Sequence, residues 1–103
     1  MAFERLQPGA ANGFNEPAEL WVEIGRAWAE RADVYDTERI AAGDEYSSLR
    51  ARFFVRSSAL TRGLSSMDRL LADGRQWEIR GVKEAKGKRH ELIEITAVTR
   101  SGG

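Results

Sequence analysis

The chain has 103 residues, 16 basic and 16 acidic, no cysteine and no net formal charge. A chain this long buries roughly 60–70% of its unfolded surface, which supports one core and one domain, residues 1–103. Charge balance argues against a freestanding nucleic-acid binder, and the lack of cysteine removes disulfide scaffolds, thiolate zinc sites and cysteine nucleophiles. No apolar run approaches the roughly 20 residues of a membrane helix, and no signal-peptide core is present. The expectation is a protein that stays where it is made.

In chain order, Met1–Gln7 holds a short strand, and residues 8–19 form an expected flexible loop carrying Gly9, Asn12, Gly13 and Asn15. Leu20–Ala32 is ambiguous. Trp21, Ile24, Trp28 and Ala32 fit helical spacing, whereas Leu20, Val22, Ile24 and Trp28 share the parity of a strand. Gly25 disfavours a helix interior by up to about 1 kcal/mol relative to Ala. Asp36–Ser47 is helical or loop-like, with Asp36 able to cap a turn. The clearest strand is Leu49–Ser57, where Leu49, Ala51, Phe53 and Val55 alternate with Arg50, Arg52, Phe54 and Arg56.

Ser65–Asp68 has the spacing of a capped helical turn. Asp73–Gly74 is a two-residue hairpin signal, because Gly tolerates the positive φ that such a turn requires. Gln76–Val82 and Glu91–Val98 then pair through the glycine-containing EAKGKR turn, with a bulge expected at Gly81. The fold class is mainly β: a small barrel or sandwich of about six antiparallel strands with one or two short helices.

No phosphate loop, nucleophile elbow or HExxH motif is present, so an enzyme is not expected. No cofactor is implied. Arg50, Arg52 and Arg56 surround Phe54 on one strand face, which suits a protein interface or, in the alternative, a solvated outer face. Lys86, Lys88 and Arg89, beside His90, make a basic hairpin tip that could touch DNA or a partner. Trp21, Trp28 and Trp77 are expected in the core or at a subunit interface. Asp33, Asp36, Glu38, Asp44 and Glu45 lack EF-hand spacing and read as a polar loop.

Four segments in order, WVEIGRAWAERAD, DTERIAAGDEYSSLRARFFVR, LSSMDRLLADGRQWEIRGVKE and ELIEITAV, resemble the phage head–tail joining (head-closure) proteins across roughly residues 20–100. The shared features are Trp28-Ala29, Arg56 at a strand end, the Asp68-Arg69 pair, and Trp77 and Ile79 after a DG turn. The resemblance favours strand for Leu20–Ala32. It implies a structural protein of a tailed phage, prophage or gene-transfer particle. Copies that can be monomeric alone would form a ring between the portal or adaptor and the tail or its terminator, after assembly in the bacterial cytoplasm. It further implies that residues 33–47, with Asp36, Thr37, Glu38, Arg39 and Gly43, face the channel and help retain packaged double-stranded DNA. Arg52, Phe54 and Arg56 then become subunit or adaptor contacts. The competing readings are a small-barrel single-strand nucleic-acid binder and another neck or tail-completion protein on the same fold.

Overall fold

The computed structural model describes residues 1–11, 17–34, 48–85 and 89–100. Its strands are β1 (Ala2–Ala11), β2 (Pro17–Arg26), β3 (Ala29–Asp33), β4 (Ser48–Arg56), β5 (Asp68–Ala72), β6 (Arg75–Ala85) and β7 (Arg89–Arg100). One helical turn, α1 (Ala59–Arg62), lies between β4 and β5. The strands form one seven-stranded sheet in the order β2-β1-β5-β6-β7-β4-β3 with every pairing antiparallel. The sheet curls through 181° into a half-barrel.

The seven strands fit the expected mainly β fold of about six, with Leu20–Ala32 dividing at Ala27–Trp28 into two. Its first part pairs with β1 and its second with β4, so consecutive segments occupy opposite edges of the sheet. Of the expected loop over residues 8–19, residues 8–11 belong to β1 and residues 17–19 to β2, while residues 12–16 lie outside the described residues. Both prolines sit where a missing N–H is tolerated. Pro17 opens an edge strand, and Pro8 lies beyond Arg5, where the β1–β5 ladder ends.

Alternation in β4 places Ala51, Phe53 and Val55 on the concave side, with Ile93, Ile95 and Ala97 of β7 and Ile79 of β6. Trp77 is fully buried at the centre of this core. Its ring meets Phe53 edge-on at 5.1 Å between centroids, and its indole N–H donates to the Ala72 carbonyl at 3.2 Å. The indole therefore fills the concavity without an unpaired polar atom.

The helical turn falls at Ala59–Arg62, not at Ser65–Asp68. Ser58 caps it: its hydroxyl accepts from the Thr61 N–H at 3.1 Å, and the Thr61 hydroxyl accepts from the Ser58 N–H at 2.9 Å. Leu60 then leans on β2, where a Cβ on Gly25 would come within 2.4 Å of its Cδ2. The glycine that counted against a helix thus admits one against the strand. At Ser65–Asp68 the serine and acid form a turn instead, with the Asp68 carboxylate accepting from the Ser65 N–H at 3.0 Å. The Asp73–Gly74 turn has φ of 54° and 73°, as a mirror-type hairpin requires. The bulge expected at Gly81 coincides with the β6–β7 register shift between Ile79 and Gly81.

Register between β1 and β5 is fixed by charge. Glu4 lies opposite Arg69 and Arg5 opposite Asp68. Glu4 and Arg69 pair at 2.6 Å on the convex side, while Arg5 grips the fully buried Asp68 carboxylate with contacts of 2.8 and 3.0 Å. A slip of one residue would set Glu4 against Asp68 and turn Phe3 out of the core. The Asp68 hydrogen bond first, and its charge second, push the Arg5 pKa above the ordinary arginine value, so the guanidinium stays charged. Asp68→Ala should lower the unfolding free energy by about 2–3 kcal/mol, the scale of charged hydrogen bonds. Glu4→Ala should cost about 1 kcal/mol or less because water still reaches its pair. Urea unfolding of both variants measures the difference.

Candidate assembly surfaces

Among the described residues, no group of three or more His, Asp or Glu side chains converges as a metal site, and no helix is long and apolar enough to cross a membrane. What the half-barrel offers is shaped surface, in three places.

One is the end of the barrel where β2 turns into β3. A cavity of about 700 Å³ opens there, lined by Met1, Trp28, Arg31, Phe53, Leu71 and Asp73 among others. Arg31 spans its rim, pairing with Asp33 and with Asp73 at 2.8 Å each, and its guanidinium sits 4.9 Å from the Trp77 ring centroid. Burial pulls the Arg31 pKa down, but the hydrogen bonds and charges of Asp73 and Asp33 outweigh it and leave the pKa raised. The Arg31–Asp73 pair ties edge strand β3 to the β5–β6 turn. Beside it Trp28 is 96% exposed.

The second surface is the convex face of β4, where Arg52, Phe54 and Arg56 stand together, as the alternation predicted. Phe54 and Arg52 are half-buried and Arg56 is exposed. Glu30 of β3 and Glu94 of β7 flank Phe54 in register, and Glu94 pairs with Lys83 at 3.3 Å.

The third is the convex face of edge strand β2. Trp21 lies opposite Leu6 on β1, with the Arg69 guanidinium 4.1 Å from its ring centroid. Glu19 and Glu23 share its parity and are exposed. Leu20 and Val22, of the other parity, are exposed as well.

Sequence reasoning brought Arg52, Phe54 and Arg56 together but missed the Trp28–Arg31 rim and the β2 face. The strand parity of Leu20, Val22, Ile24 and Trp28 is interrupted at Arg26, but that pattern does not show that the segment divides there between two edges of the sheet. Asp36, Thr37, Glu38, Arg39 and Gly43 lie outside the described residues, as do Lys86 and Lys88. Arg89 begins β7, where its backbone pairs with Ala85.

The family described as phage head completion protein has a sequence model that matches residues 2–100. No curated protein matches the chain. Solved structures that share the fold include these two. One is a chain of the virion of a native gene transfer agent particle, 20% identical, with a TM-score of 0.67 over 99% of this chain and 93% of that one. The other is a Shigella flexneri 2a protein determined in solution, 19% identical, with a TM-score of 0.66 over 99% of this chain and 89% of that one.

Exposure separates the tryptophans in a measurable way. Trp77→Ala should cost about 3–5 kcal/mol, enough to unfold a small domain. Trp28→Ser should change stability by no more than about 0.5 kcal/mol. Circular dichroism during urea unfolding checks both.

Proposed function

The chain belongs to the phage head completion protein family, and we propose that it forms a ring at the neck of a tailed phage, prophage or gene-transfer particle, between the portal or its adaptor and the tail. Its role is structural, in joining head to tail, and not enzymatic. The observation that carries the proposal is that the family match takes in residues 2–100, the whole curled sheet, so the family's task is the task of this one domain. Likeness to a chain of a gene transfer agent virion supports extending it to phage-like particles.

In this reading the work is done by burial of subunit faces. A preformed platform raises the effective concentration of each arriving copy, so a chain that is monomeric alone can close a ring there. The convex β4 face with Arg52, Phe54 and Arg56 serves as a subunit or adaptor contact. The connection between β3 and β4, with Asp36, Thr37, Glu38, Arg39 and Gly43, faces the channel and helps hold packaged DNA, a role supported by the resemblance of the flanking segments. Lys86, Lys88 and Arg89 remain a candidate contact for DNA or a partner. The alternative of a single-strand nucleic-acid binder is not favoured, because the chain has no net charge and its arginines Arg5, Arg31 and Arg69 are held by carboxylates of the fold itself.

Electron microscopy of particles from a producing strain lacking this gene tests the proposal. Separate complete tails beside filled or leaking heads are the expected outcome. Normal joined particles would overturn it.

A further inference from the structure

We propose that Glu19–Trp21–Glu23 on β2 and Arg52–Phe54–Arg56 on β4 are the two halves of one contact, by which each chain binds the next copy of itself. The inference rests on the ring reading above and names the surfaces that would build it.

Both strips occupy alternate positions of a strand, so each points outward from one face and spans roughly 13 Å at about 3.3 Å per residue. Their direction follows from register. Glu23 and Trp21 lie opposite Glu4 and Leu6, and Glu4 makes the convex-side pair with Arg69. On β4 the neighbours Phe53 and Val55 are buried in the core, which turns Arg52, Phe54 and Arg56 to the convex side. One strip reads acid–aromatic–acid and the other arginine–aromatic–arginine. Each is the same read from either end, so the charges match whether the two strands meet parallel or antiparallel.

The charges are also available. Among the described residues Arg52, Arg56 and Glu19 form no ion pair. Glu23 has only Arg26, at 3.1 Å between side chains 45% and 75% exposed, a solvated pair typically contributing about 0–1 kcal/mol. The nearby charges of opposite sense are mostly occupied: Glu94 by Lys83, and Arg69 by Glu4, although the Arg69 guanidinium also covers one face of the Trp21 ring and leaves the other face and edge for a partner. Glu30 is the exception, a carboxylate next to Phe54 that slightly weakens the basic strip. At the centre, Trp21 and Phe54 supply the aromatic contact that interfaces favour inside a polar rim.

Position in the fold selects the partner. β2 is one edge of the sheet, and β4 is one strand in from the other edge. Because the sheet curls through 181°, the two faces look in nearly opposite directions. The same strip cannot meet itself across a two-fold axis, since arginine would face arginine. Opposed, complementary patches make a head-to-tail contact, which closes into a ring when the rotation between copies allows.

The test uses particles from the deletion strain, supplied with variant chains and scored by the amount of chain they retain. R52E/R56E and E19R/E23R should each reduce incorporation at least about tenfold, the effect of one mispaired charge contact of about 1.4 kcal/mol. The variant carrying all four changes should recover to within about threefold of wild type. Normal incorporation of either pair, or no recovery in the combined variant, would overturn the contact. Circular dichroism of each purified variant separates lost binding from lost folding. Should one fail to fold, E23C combined with R52C or with R56C replaces it, the chain having no cysteine of its own. A disulfide-linked ladder in oxidised particles supports the contact, and monomers alone in both variants exclude it. Absence of the wild-type chain from particles would instead sink the head-joining reading, a different failure from wild-type incorporation without recovery.

Discussion

The curl of the sheet around Trp77 is the constraint on which the other features depend. A single indole occupies the concavity between β6 and β4, touching Phe53 edge-on and carrying Arg31 over its ring. An aromatic side chain of this size removes roughly 200 Å² from water, which at about 25 cal/mol per Å² corresponds to an upper bound of about 5 kcal/mol. No flat sheet could collect that burial on one side alone. Curling brings β4 over β6 and supplies the second wall of the core without a second sheet.

The curled sheet stays open, and among the described residues β2 and β3 end it with no strand paired on their outer sides. The fold handles the two edges differently. β3 is short and is tied by Arg31 to the β5–β6 turn. β2 is longer, rests on α1 through the Leu60–Gly25 contact, and presents Leu20, Trp21 and Val22 to solvent. An exposed apolar edge is an aggregation hazard in a free monomer. The proposed contact between copies would cover that edge with a neighbouring chain.

Charge is divided in the same way. Pairs that hold the fold together, Arg5–Asp68, Arg69–Glu4 and Arg31–Asp73, connect elements far apart in sequence. The convex Arg52 and Arg56 are left over from that set. A neutral chain can therefore carry a locally basic strip, even with Glu30 and the Lys83-paired Glu94 beside Phe54. Net charge describes solubility and long-range steering, whereas binding responds to where each charge is placed.

Local pattern by itself determined the alternation of β4, the Asp73–Gly74 turn, the bulge at Gly81 and the absence of catalytic motifs, because each depends on residues within a few positions of one another. It also put Arg52, Phe54 and Arg56 on one face. Only the tertiary structure decided that Leu20–Ala32 would split between two edges, that Trp77 would be buried while Trp28 stayed exposed, and that Asp68 would turn inward to Arg5. Parity separates the two faces of a strand, but it does not say which face is concave or which strand ends the sheet. Those follow from pairings across sixty residues or more, as between Arg5 and Asp68. A serine-to-acid spacing likewise serves a helix cap or a tight turn equally well, and at Asp68 a partner on another strand settled which it became.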